Sequence, residues 1–209
     1  MTNDAADAAN ASNAARFTEA IRRFDEENSR DPTTELVDGL PQPRELLYAR
    51  RLSDWVLKLC PEASEELRLA ARCQHIGRWT IPRHTYAMTR AGYLRWRTEL
   101  KEFHAGKAGQ ILQSIGYPRE VIARVQALNL KSNFPADPAS QVLEDALCLM
   151  FLQHQFAELA GRTADDKMIN ALRKTWKKMT PAARAVALKF PRSRREETLL
   201  KQALSRDLA

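Results

Sequence analysis

Four side chains between residues 93 and 104 have the types and spacing that anion chemistry needs. At about 100° of helix per residue, Tyr93, Arg97, Lys101 and His104 fall near 0°, 40°, 80° and 20°, and so share one stripe. The two cations supply charge, and the phenol and imidazole supply directional donors. Glu99 and Glu102 lie on the other side of the helix, so the stripe carries no acids of its own. That pattern suits a phosphate or another anion. The plain alternative is a solvated helix face with snorkelling stems.

A second set of residues places polar groups where apolar ones belong. Glu45 lies within about 40° of Ala49, Leu52, Val56 and Leu59, so its carboxylate points along the stripe that should face the core. Asp145 shares such an arc with Leu149, Leu152 and Phe156, while Glu144 faces Leu147, Cys148 and Phe151. A buried carboxylate needs a partner, so at least one of these acids should be paired or line a cleft. His75 closes an apolar segment between Ala71 and Trp79 and precedes Gly77 and Arg78. It reads either as a hydrogen-bonded core residue or as a ligand or base. His84 and His154 lack such surroundings and read as surface residues.

The charge around these residues is one-sided. From Leu67 to Phe134 there are 12 Lys and Arg against Glu99, Glu102 and Glu120, whereas the whole chain carries only +7. The basic character therefore belongs to the middle of the chain and favours an anionic partner, either a phosphorylated small molecule or nucleic acid. Arg78, Arg83, Arg97 and Lys101 are the cations placed to contact it, with Tyr93 beside them.

The elements that must position these groups are helical. Glycine is scarce at 7 in 209 residues, and no stretch alternates apolar and polar residues for the length a sheet needs. The expected fold is all-α, a single compact multi-helix domain over residues 16–209 behind a disordered tail at 1–15. Helices are expected from Arg16 to Glu27, from Pro43 to Leu59, and from Ser64 to Trp79. Others should run from Arg90 to His104 or on to Ile115, from Pro118 through Leu128, from Gln141 to Ala160, and from Asp165 to Met179. A short helix should open at Thr180-Pro181, and a charged one should begin near Arg194. The segment SRDPTTELVDGLPQP reads as a loop.

No apolar run approaches the ~18 residues of a membrane span, and the first fifteen residues lack the charged and apolar regions of a signal peptide. Cys60, Cys73 and Cys148 are odd in number and widely spaced, which fits free thiols in the cytoplasm. No motif for ATP, NAD or a nucleophilic Ser or Cys triad is present.

The runs ELLYARRLSDWVLKLCPEASEELRLAARCQHIGRWTIPR, RAGYLRWRTELKEFHA, LEDALCLMFLQHQF and KTWKKM resemble the bacterial and fungal domain-of-unknown-function family numbered 4202. That resemblance covers roughly residues 16 to 190 and implies a helical fold without an activity. A more distant likeness is to the HD-domain metal phosphohydrolases. Glu45 stands where that family has its first His, His75 where the His of the His-Asp pair stands, and Asp145 or Glu144 where the last acid stands. The departures are Glu45 for a His and Ile76 for the Asp of the pair. The likeness implies an HD-domain-like arrangement in which Glu45, His75, His104 and Glu144 or Asp145 bind a divalent metal ion, Mn, Fe, Zn or Mg.

The resulting expectation is a metal-dependent phosphohydrolase acting on a phosphorylated small molecule or nucleotide, with Arg78, Arg97 and Lys101 as its catalytic cations. Two alternatives use the same residues. A non-catalytic nucleotide- or RNA-binding protein would stack a base on Trp79, Tyr93 or Trp96, and a helical interaction module would use the buried acids only to pair with arginines.

Overall fold

The computed structural model describes residues 3–205, with side chains from residue 11 onward. Helices dominate it: α1 (Asn3–Asn28), α2 (Arg44–Leu59), α3 (Glu65–Cys73), α4 (Arg90–Ser114), α5 (Arg119–Leu130), α6 (Pro138–Met150), α7 (Phe156–Gly161), α8 (Asp165–Lys178), α9 (Pro181–Ala187) and α10 (Arg194–Leu204). None is long and apolar enough to cross a membrane. The core runs through Phe24, Leu52, Val56, Leu69, Ile76, Leu112, Leu128, Leu143, Leu149 and Phe156, none more than 1% exposed. Burying each such large side chain contributes about 2 kcal/mol. Around it, α2 packs on α3 and α6, α4 on α5, and α8 on α10.

Four differences from the sequence-based expectation have local causes. First, α1 reaches back to Asn3, through the Ala-rich segment expected as a tail. Alanine has the highest helix propensity, and nothing in that segment breaks a helix. Second, the expected loop before α2 contains a small antiparallel hairpin, β1 (Thr34–Val37) and β2 (Leu40–Pro43), with Val37 opposite Leu40. Asp38 and Gly39 both take positive φ, 51° and 79°, as a tight hairpin turn of the Asp-Gly type demands.

Third, α3 ends at Cys73 instead of Trp79, because Gly77 takes φ 67° and turns the chain into a short 3-10 turn over Arg78–Thr80. A Cβ on Gly77 would lie 3.1 Å from the Phe103 ring, so both conformation and space select glycine there. Fourth, the expected helix from Gln141 to Ala160 begins at Pro138 and is interrupted by a π-helical turn at Phe151–Gln155. By contrast α4 passes unbroken through Gly106 and Gly109. Gly109 lets α5 approach closely, since a Cβ there would meet the Gln126 amide at 2.4 Å.

Candidate functional site

Glu45 is positioned from its backbone. The N-terminus of α2 has no side-chain cap of its own, because Pro43 precedes it. Asp31, 6% exposed, supplies one from the preceding loop: its carboxylate accepts from the amides of Thr33 (2.9 Å) and Glu45 (3.0 Å). With the first turn held, the apolar stripe of α2 packs into the core and carries Glu45 inward with it.

Glu45, His75 and Arg78 then meet. Glu45 Oε2 lies 3.3 Å from His75 Nδ1 but off the direction of a hydrogen bond, and among the described residues it has no other donor. Glu45 Oε1 lies 3.7 Å from Arg78 Nε. Arg78 Nη1 donates to His75 Nε2 at 3.3 Å, which makes the imidazole a neutral ring protonated at Nδ1. Tyr48, one turn along α2 from Glu45, stacks on His75 with centroids 4.0 Å apart and planes 13° from parallel. His104 comes from α4 with its ring 5.8 Å from that of His75. Its Nδ1 donates to the carbonyl of Ile76 at 2.8 Å.

Electrostatics favours neutral rings here. Burial holds the His75 pKa well below the usual imidazole value, and the charges of Arg78, Arg97 and Lys131 add to the effect. Burial likewise brings His104 down to about 3, with His75 contributing. For Glu45, burial raises the pKa, and Arg78 only partly offsets it.

These groups form one wall of a cleft of about 640 Å³. Glu45, His75, His104, Glu144, Arg78, Arg83, Tyr93, Arg97 and Lys101 all line it. Arg97 and Lys101 are half-buried and, among the described residues, have no acid within 4.0 Å. Tyr93 stands at the mouth, 45% exposed. Arg83 spends its donors on the carbonyls of Tyr86 and Ala87, 3.0 and 2.9 Å away.

Asp145 is absent from the lining. Although it neighbours Glu144 in sequence, it accepts from the Thr180 amide (2.9 Å) and hydroxyl (2.6 Å) and so anchors the start of α9. Glu144 instead points into the cleft, where Lys178 (2.9 Å) and Lys131 bind it. Tyr48, Lys131 and Lys178 line the cleft as well, beyond the residues expected from the sequence. Tyr48 was detectable, three residues beyond Glu45 on the same helix face. Nothing local marks the two lysines, because they reach Glu144 only through packing of α5 and α8 on α6.

This chain belongs to the DUF4202 family. The family model, described as a domain of unknown function, matches residues 18–200 and therefore includes every residue of the cleft named above. No curated protein and no solved structure matches the chain.

In this arrangement the candidate donors of the DUF4202 domain stand beside partners that compete with a metal ion. Among the described residues no three His, Cys, Asp or Glu side chains are grouped to hold one. The chemistry of each donor agrees: Arg78 places a cation against both Glu45 and His75, His104 uses Nδ1 on a carbonyl, and two ammoniums neutralise Glu144. A guanidinium beside these donors repels the ion they would bind.

Proposed function

We propose that this domain is a phosphohydrolase acting on a phosphorylated small molecule or nucleotide held in the basic cleft. The observation that carries this reading is the pair Arg97 and Lys101, half-buried and, among the described residues, without acidic partners, in the same cleft as a neutral imidazole. A phosphate would supply the missing counter-charge through charge-assisted hydrogen bonds.

His75 is the residue suited to act on it. When a phosphate enters, the Arg78 guanidinium can turn from Nε2 to the phosphate oxygens and free the ring's lone pair. A water molecule attacks phosphorus, its proton passes to Nε2, and the bond to the leaving oxygen breaks. That oxygen then takes a proton from solvent. Glu45 stabilises the imidazolium formed at Nδ1. The phosphate's negative charge opposes the very cations that depress the imidazole pKa, so the base becomes stronger once substrate is bound. Three free cysteines fit residence in the reducing cytoplasm.

The non-catalytic nucleotide or RNA reading draws on a different contact: the base's lone pair is engaged by Arg78, while Tyr93 and Trp96 stand 5.9 Å apart near the mouth. One panel of phosphate monoesters and nucleotides separates the two, assayed for released phosphate alongside binding. The expected result is turnover by the wild type that falls about 100-fold or more in His75→Asn, with binding retained. Binding without turnover in the wild type would favour the non-catalytic reading. Stoichiometric divalent metal in protein purified without added metal, with activity lost on chelation, would instead restore a metal-dependent route.

A further inference from the structure

The wall of the cleft carries a second cationic group besides Arg97 and Lys101. Lys131 follows α5 with φ 59° and ψ 38°, a left-handed conformation that glycine adopts freely and that costs other residues ~1 kcal/mol. The amide of Ser132 bonds back to the carbonyl of Ala127 at 3.1 Å, closing the helix in the manner that usually selects glycine. A lysine there keeps a side chain where helix ends of this left-handed kind usually carry glycine, and its ammonium reaches Glu144. Lys178 reaches the other oxygen of the same carboxylate at 2.9 Å. Two ammoniums therefore share one carboxylate, and this wall retains a positive charge beyond those of Arg97 and Lys101.

Size and charge point the same way. A cleft of about 640 Å³ is far larger than a single phosphate group fills, and it lies within the range of pockets for nucleotide-sized ligands. Eight Lys and Arg line it against Asp31, Glu45 and Glu144. Even with Glu158 at the rim set against Arg44 and Arg162, cations outnumber acids by eight to four. A phosphate monoester, at roughly −2, leaves part of that excess unmatched.

We propose, resting on the phosphate reading of the cleft, that Lys131, Glu144 and Lys178 form a second anion subsite and that the ligand is a diphosphate or bisphosphate of nucleotide size. One phosphoryl group sits on Arg97 and Lys101, the other on the two lysines.

The test is calorimetric titration of the full chain with orthophosphate and with pyrophosphate at equal ionic strength. Wild type should bind pyrophosphate about tenfold or more tightly than orthophosphate. Lys131→Gly, whose φ suits glycine, should cut pyrophosphate affinity about tenfold while orthophosphate changes less than about threefold. Lys178→Ala, on a side chain 49% exposed, should give the same selective loss without altering the left-handed position. The double change Arg97→Ala with Lys101→Ala should weaken both anions. Equal affinity for the two anions, or a preference that survives Lys131→Gly and Lys178→Ala, overturns the second subsite while the cleft remains a phosphate site. If wild type binds neither anion, the phosphate reading itself fails, and the second subsite with it.

Discussion

Glu45 and Glu144 are both buried carboxylates on helices lining the same cleft, 9% and 4% exposed, and their surroundings drive them in opposite directions. Around Glu45 burial dominates, because Arg78 stands 3.7 Å away and, among the described residues, Oε2 has no donor, so the pKa rises. Burial also acts on Glu144 and would raise its pKa, but two ammoniums in contact outweigh it, and the pKa falls. Burial alone therefore does not decide the state of an acid; the distance and number of the cations do. In one cleft, therefore, one carboxylate is held ionised while the other is the more easily protonated. Glu144 serves as a fixed anion that orders the lysines, and Glu45 as the titratable partner of His75.

The largest effect expected from this contrast is at Glu144. Glu144→Gln leaves Lys131 partly buried without its carboxylate and should lower stability by about 3 kcal/mol at pH 7, read from urea unfolding. Because the folded pKa lies below the unfolded value of 4.5, that contribution is present above pH 4.5 and fades as pH falls through the folded pKa. A deficit as large at pH 3 as at pH 7 would show that packing, not charge, holds Glu144.

The histidines should control the acid side of the stability profile. His104 has a folded pKa of about 3 against 6.5 unfolded, so its contribution is complete above pH 6.5 and is lost progressively as pH falls toward 3. His75 adds to the same slope, its folded pKa also being depressed. His104→Gln should flatten the fall in melting temperature between pH 6.5 and 3. A slope identical to wild type would mean that His104 is not buried as a neutral ring.

Glu45 should show the reverse sign and a smaller size. Its raised pKa means that ionising it disfavours folding, so its contribution is full below pH 4.5 and is lost as pH rises through the folded pKa. Glu45→Gln should therefore match wild type near pH 4 and become more stable by about 1 kcal/mol at pH 8. Lower stability at pH 8 would show that the Arg78 contact outweighs burial and would remove the contrast with Glu144. The smallest effect is expected for an exposed acid. Glu197, 3.9 Å from Lys201 on α10 with both side chains more than half exposed, should leave the unfolding midpoint unchanged when replaced by Gln.

Much of this molecule follows from local pattern. The 3.6-residue period, the Ser64 and Thr180 caps and the Pro-marked starts locate most helices, because each depends on residues within a turn or two of one another. The same period placed Tyr93, Arg97, Lys101 and His104 on one stripe, and all four line the cleft. It also marked Glu45 as an acid facing inward. The hairpin is the exception: the segment reads as a loop, because beside the turn at Asp38-Gly39 its strands are too short and irregular to show alternation.

Partnership was decided only by tertiary structure. Glu144 and Asp145 are adjacent on one helix and both buried, yet α8 brings Lys178 to the first and α9 brings Thr180 to the second. The left-handed turn at Lys131 and the turn at Gly77 depend on how whole helices dock, as does the approach of His104 to His75. A sequence of this kind records which side chains must leave water, because that follows from periodicity. Which charge each one meets there depends on contacts between segments far apart in the chain, and those contacts settle the protonation state and chemistry of the cleft.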